Sequence, residues 1–197
     1  MMVAAMTKQS AVEEYLEQEN RNIDKSEFIQ GEIIKMAGAS ANHNILTGKL
    51  HALLLFALED RGYSVFMSDM RLWLSASESY VYPDIMAIAG EPMFTDSKQM
   101  ALTNPYPCLI AEVLSSSTEG FDKNQKFALY RSIPQLQEYL LIDQFSYRVE
   151  LYRKVGDRQW LLTELIGEDT IVELQSVDVT IKLADLYKRV QFEQSQE

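Results

Sequence analysis

Two short apolar runs in this chain each carry a single acid, and any fold must find a place for both. The first is Tyr82-Pro83-Asp84-Ile85-Met86-Ala87-Ile88-Ala89, closed by Gly90. The second is Cys108-Leu109-Ile110-Ala111-Glu112-Val113-Leu114. Continuous apolar runs of this length read as strands covered on both faces. Pro83 suits the first residue of such a strand, where its missing N–H does least harm. A carboxylate beside or inside a buried run is costly unless it is paired or bound to a metal. One divalent cation shared by Asp84 and Glu112 would serve both acids.

The rest of the chain supplies elements to flank these strands. Val12 to Glu19 reads as a short amphipathic helix. Glu27 to Met36 reads as two short strands around Gln30-Gly31, with Glu32 starting the return strand. Ser40 or Asn42 can cap a helix from about His43 to Arg61, whose apolar face holds Ile45, Leu46, Leu50, Leu53, Leu54, Ala57 and Leu58. Tyr63 to Leu74 alternates, as one long strand or as two joined by a bulge near Ser68-Asp69. Gly90 to Pro107 is a long loop, a kind that is often functional. A helix from Glu119 to Ser132 turns Phe121, Phe127, Leu129 and Tyr130 inward and ends before Pro134.

Glu138 to Asp143 is another buried strand, and Tyr147–Arg153 pairs with Gln159–Leu165 around Gly156-Asp157. Ile171–Leu174 and Val179–Ile181 add short strands, Leu183–Val190 a last helix, and Gln191–Glu197 a frayed tail. The expected fold is α/β or α+β: a mixed sheet flanked by helices, with extra antiparallel strands at the C-terminal end. At 197 residues a single domain is expected, its core running from about residue 12 to residue 190.

Charge narrows the function classes. The net charge of −11 does not suit a strong nonspecific DNA binder, which neutralises phosphates with a basic face. A nucleic-acid role needs a local basic rim, for which Lys98, Lys123, Lys126, Arg131 and Arg71 are the candidates, or bound metal ions. No apolar run has the length of a membrane span. Met1 to Ser10 has no basic start leading into an apolar segment, so a signal peptide is not expected and a cytoplasmic location is. Cys108, the lone cysteine, excludes an internal disulfide and reads as a buried structural thiol.

Carboxylates are hard oxygen ligands suited to Mg2+ or Mn2+. Phosphodiester hydrolysis needs a metal-activated water and a cation near the developing charge. Lys126, on the helix after the Glu112 strand, can fold back to supply that cation. On spacing alone the alternatives stay open. Asp84 could be a turn cap, Glu112 could pair structurally with Lys126 or Arg131, and Lys126 could be a solvated helix residue. His43 could simply be a capping or surface histidine, and Glu32 a solvated acid.

These residues carry a resemblance. Pro83-Asp84 followed by Glu112-Val113-Leu114 resembles a PD-(D/E)XK nuclease core, except that Leu114 stands where that motif has its lysine. More closely, the chain resembles the Uma-type restriction endonuclease family, first catalogued as a domain of unknown function. The likeness rests on Phe28-Ile29-Gln30-Gly31-Glu32-Ile33, Met36 to Ser40 with His43, Tyr82-Pro83-Asp84, Glu112 to Ser115, Lys126 with Tyr130, and Glu138 to Asp143. It implies a restriction-endonuclease-like fold and a metal-dependent endonuclease acting on DNA. Asp84, Glu112 and the Val113 carbonyl would be metal ligands. Lys126 would be a migrated catalytic lysine, with Glu32 and His43 near the site. Cutting two strands would suit a homodimer. The departure at Leu114 keeps a second reading open, that of a nuclease-fold binding or regulatory module without turnover.

Overall fold

The computed structural model describes residues 8–95, 100–104 and 106–192. In chain order the elements are α1 (Lys8–Glu19), β1 (Ser26–Ile29), β2 (Glu32–Lys35), α2 (Ala41–Leu58), β3 (Tyr63–Met67), β4 (Arg71–Leu74), β5 (Ser79–Val81), β6 (Ile85–Ala89), β7 (Met93–Phe94), β8 (Ala101–Asn104) and β9 (Leu109–Leu114). There follow α3 (Glu119–Phe121), a π-helical turn (Asp122–Lys126), α4 (Phe127–Tyr130), β10 (Glu138–Asp143), β11 (Arg148–Gly156), β12 (Gln159–Ile166), β13 (Ile171–Leu174), β14 (Val179–Lys182) and α5 (Leu183–Leu186).

Turn chemistry fixes the first hairpin. Gln30 and Gly31 both take positive φ, 52° and 99°. That is the conformation a tight two-residue hairpin turn requires. β1 and β2 then pair antiparallel with Ile29 opposite Glu32. They join a six-stranded sheet in the order β2-β1-β5-β4-β8-β7. A second six-stranded sheet runs β12-β11-β10-β9-β6-β3, and β13 with β14 forms a separate hairpin. The second sheet is mixed: β9 and β10 are parallel, whereas β6 and β9 are antiparallel.

The central strands of the second sheet, β6, β9 and β10, are covered on both faces, as their continuous apolar runs require. On one side α2 packs Leu46, Leu50, Leu54 and Leu58 against Ile85, Ala87, Leu109 and Ala111. All four leucines are fully buried. Each contributes roughly 1.5–3 kcal/mol, which outweighs the ~1 kcal/mol cost of Gly48 inside the helix. On the other side Met86, Ile88, Ile110 and Leu141 meet Leu72, Leu74 and Val81 of the first sheet, with Leu129 and Tyr130 of α4. Among the described residues no helix is long and apolar enough to cross a membrane.

Several expectations needed correction. Tyr63 to Leu74 is neither one strand nor a bulged pair. Ser68 takes φ 44°, and the chain turns there so that β3 and β4 enter different sheets. Residues 90–107 hold the short strands β7 and β8, paired antiparallel, where a loop was expected. The helix expected from Glu119 to Ser132 is interrupted by its π turn. The last helix is a single turn, Leu183–Leu186. Lys98 and residues 193–197 of the expected tail lie outside the described residues.

Candidate active site

Strand register puts the two acids side by side. Ile85 pairs with Ala111 across β6 and β9. One step further along this antiparallel register Asp84 faces Glu112, and opposed residues share a sheet face. Each acid grips the other strand's backbone. The Val113 amide donates to Asp84 Oδ2 at 2.8 Å, and the Asp84 amide donates to Glu112 Oε2 at 3.1 Å. The structure therefore brings Asp84, Glu112 and Val113 together.

Lys126 reaches the pair from the π turn. Its Nζ lies 3.1 Å from Glu112 Oε1, 3.1 Å from Glu27 Oε1 and 3.7 Å from Asp122 Oδ1. Tyr130 donates to the same Glu112 Oε1 at 2.8 Å. Local geometry explains how one helix presents all three side chains. In a plain α-helix each four-residue step overshoots a full turn by about 40°, so Asp122, Lys126 and Tyr130 would fan out. The wider π turn takes up part of that overshoot.

His43 sits in the first turn of α2, where Ser40 caps the helix by accepting from the His43 amide at 3.1 Å. Its Nε2 lies 3.1 Å from Asp84 Oδ2. Burial pushes the imidazolium pKa down. The hydrogen bond and charge of Asp84 overcome this, and the net shift is upward.

Glu32 is not brought to this cluster. It is exposed at the start of β2, beside the hairpin turn. The acid that reaches Lys126 is Glu27, on β1 two residues further from the turn, and its Oε1 also accepts from the Tyr82 amide at 2.9 Å. Glu27, like Glu112, is an acid on a strand that is buried throughout. Asp122 was also missed as a site residue, although it stands four residues before Lys126, one helical turn away.

Electrostatics follow from burial. Glu27, Glu112, Asp122 and Lys126 are all buried. Burial is the largest cause raising the Glu112 pKa. Lys126 opposes it, but Asp84, Asp122 and Glu27 add to it, and the carboxyl lies well above the usual range. Asp122 is raised in the same way. Burial lowers the Lys126 pKa, but its ring of acids more than reverses this, so Lys126 stays charged. Four acids thus surround one ammonium.

The donor set fits a hard divalent cation. It is oxygen-rich, and carboxylates outnumber cations. Among the described residues no three His, Cys, Asp or Glu side chains converge with ligating geometry. The residues thus allow a seat of two carboxylates, Asp84 and Glu112, completed by main-chain oxygen and water. Mg2+ is commonly held in this way, through one or two carboxylates and several waters.

The expected basic rim does not form from the described candidates other than Arg131. Arg71 is buried and donates to Asn20 Oδ1 at 2.9 Å. Lys123 is neutralised by Glu119 and Glu150 at 2.8 and 2.7 Å. Lys126 is buried in the acid cluster. Arg131 stacks on Phe127, its guanidinium carbon 4.9 Å from the ring centre.

Residues 12–184 match the Uma2 family, described as "Putative restriction endonuclease". The chain belongs to this family. Two relatives from Synechocystis sp. span nearly the same length. Uncharacterized protein sll1609 is 64% identical over 179 residues, covering 91% of this chain and 100% of its own. Uncharacterized protein slr1290 is 34% identical over 180 residues, covering 91% and 92%. The fold also resembles a crystal structure from Anabaena variabilis, described as a "putative nuclease belonging to DUF820". That likeness has a TM-score of 0.73 at 18% identity, over 91% of this chain and 98% of the other. The mixed sheet with flanking helices and a C-terminal strand pair is thus the architecture of this Uma2 chain.

Proposed function

We propose that this Uma2 chain is a metal-dependent endonuclease that hydrolyses DNA phosphodiester bonds with Mg2+ or Mn2+. The observation that carries the reading is the reciprocal Asp84–Glu112 pair with the Lys126 ammonium 3.1 Å from Glu112. Asp84, Glu112 and the Val113 carbonyl would hold the cation. When bound, it would polarise a phosphoryl oxygen and lower the pKa of a water. Lys126 replaces the lysine that Leu114 displaces, and its positive charge faces the negative charge that develops on phosphate. Glu27 and Asp122 keep Lys126 protonated and fixed. Tyr130 orients the Glu112 carboxyl. His43, bonded to Asp84, sits close enough to hold or pass a proton at the site's edge.

One observation favours a second reading. Arg71 and Lys123, two candidates for a basic rim, are engaged internally. A nuclease-fold module that binds without cutting needs no such rim.

Supercoiled plasmid with Mg2+ or Mn2+ separates the two. The first reading predicts nicked or linear product from the wild type and at least a hundredfold loss in Asp84→Ala. Intact plasmid, or equal cutting by the variant, would sink it and leave the binding module.

A further inference from the structure

Among the described residues the longest uncovered edge is β12. It is eight residues long and ends the second sheet, so its outer main-chain groups face no strand among the described residues. Apolar side chains stand exposed along it: Leu161 at 52%, Leu162 at 45% and Ile166 at 65%. They do not share a face. The register places Leu161 opposite Arg153 and Leu162 opposite Tyr152, so they point to opposite sides of the sheet. A partner resting on one face would leave the other wet, whereas an added strand covers both. Proteins normally protect such an edge with lysine, proline or a bulge. β12 has neither lysine nor proline. Its single charge, Glu164, is already held by Arg148 at 2.6 Å.

We propose that β12 is a dimer interface, on which the β12 of a second copy adds antiparallel about a two-fold axis through Thr163. Symmetry restricts the register. In a two-fold antiparallel pair each residue must oppose one of the same main-chain orientation, so a residue lies on the axis. With Thr163 there, Trp160 of each copy opposes Ile166 of the other, and Leu161 opposes Leu165. Moving the axis to Leu162 would set Trp160 against Glu164 and Leu161 against Thr163. The interface does not depend on the nuclease reading, because chain mass reports it without any activity.

Sedimentation equilibrium tests it. The wild type is expected at twice its 22.6 kDa chain mass. Leu161→Glu, at an exposed position, should keep the native circular dichroism and weaken the dimer at least tenfold. Thr163→Cys should form a disulfide-linked dimer without reductant. Directly opposed strand positions lie about 4.5–5.5 Å apart, within disulfide range, and the buried Cys108 does not compete. A monomeric wild type would overturn the proposal. So would a dimer unmoved by Leu161→Glu, or a Thr163→Cys variant that stays reduced.

Discussion

Asp84 and Glu112 each hold the other's strand, through amide hydrogen bonds of 2.8 Å to Asp84 Oδ2 and 3.1 Å to Glu112 Oε2. These two bonds tie the pair into the sheet. They keep two carboxylates adjacent despite their repulsion, while Lys126 offsets only part of the charge.

Asp122→Asn should stabilise the metal-free protein, because a raised carboxyl pKa means that ionisation is unfavourable in the fold. The sign follows from linkage. The native state holds the Asp122 proton to higher pH than the unfolded chain does, so stability falls as pH rises between the two pKa values. Thermal melts across pH should show that fall in the wild type and a flatter profile in the variant. A variant that melts lower at neutral pH would contradict this.

Lys126→Met should cost about 3–5 kcal/mol, because it leaves buried acids without their cation. Lys126→Arg keeps the charge and should retain the fold while losing the plasmid cleavage proposed above. Urea melts measure the first effect. If Met is tolerated within about 1 kcal/mol, the ion-pair account is wrong.

Gly31→Ala should destabilise by about 1 kcal/mol or more. The hairpin needs φ 99° at this position, and alanine is strained there although the space is open. Gly38→Ala also has open space around its Cβ but no positive φ, so it serves as the control. Equal melting of the two variants would remove the backbone argument.

Cys108 should resist alkylation at pH 8 in the native state. Burial pushes its thiol up to about 11, and it donates to the Ala87 carbonyl at 3.4 Å. Reagent should react only as the chain unfolds, at the rate of global opening. Rapid labelling of native protein would show that β6 and β9 open locally beside the site.

The two acid-bearing strands, β6 and β9, were legible because an acid among consecutive apolar residues has few structural explanations. Lys126 was legible only through its place on the next helix and the family resemblance. Glu27 escaped because its hairpin carries a second acid, Glu32. The alternation there does not say which acid faces the interior until β1 is packed against β5. The π turn had no local signal, since an extra residue in a helix reflects what its side chains must reach. The division of Tyr63–Leu74 between two sheets is likewise a tertiary result, as either half alone reads as an ordinary strand.

Titration calorimetry of the metal-free chain with Mn2+ tests the central claim most directly. One site per chain is expected. Its affinity should fall as pH drops through the raised Glu112 range, because a ligating carboxylate must first lose its proton. Glu112→Gln should abolish it. A wild type that binds no Mn2+, or a Glu112→Gln variant that binds it equally well, would contradict the claim that this pair is a cation seat.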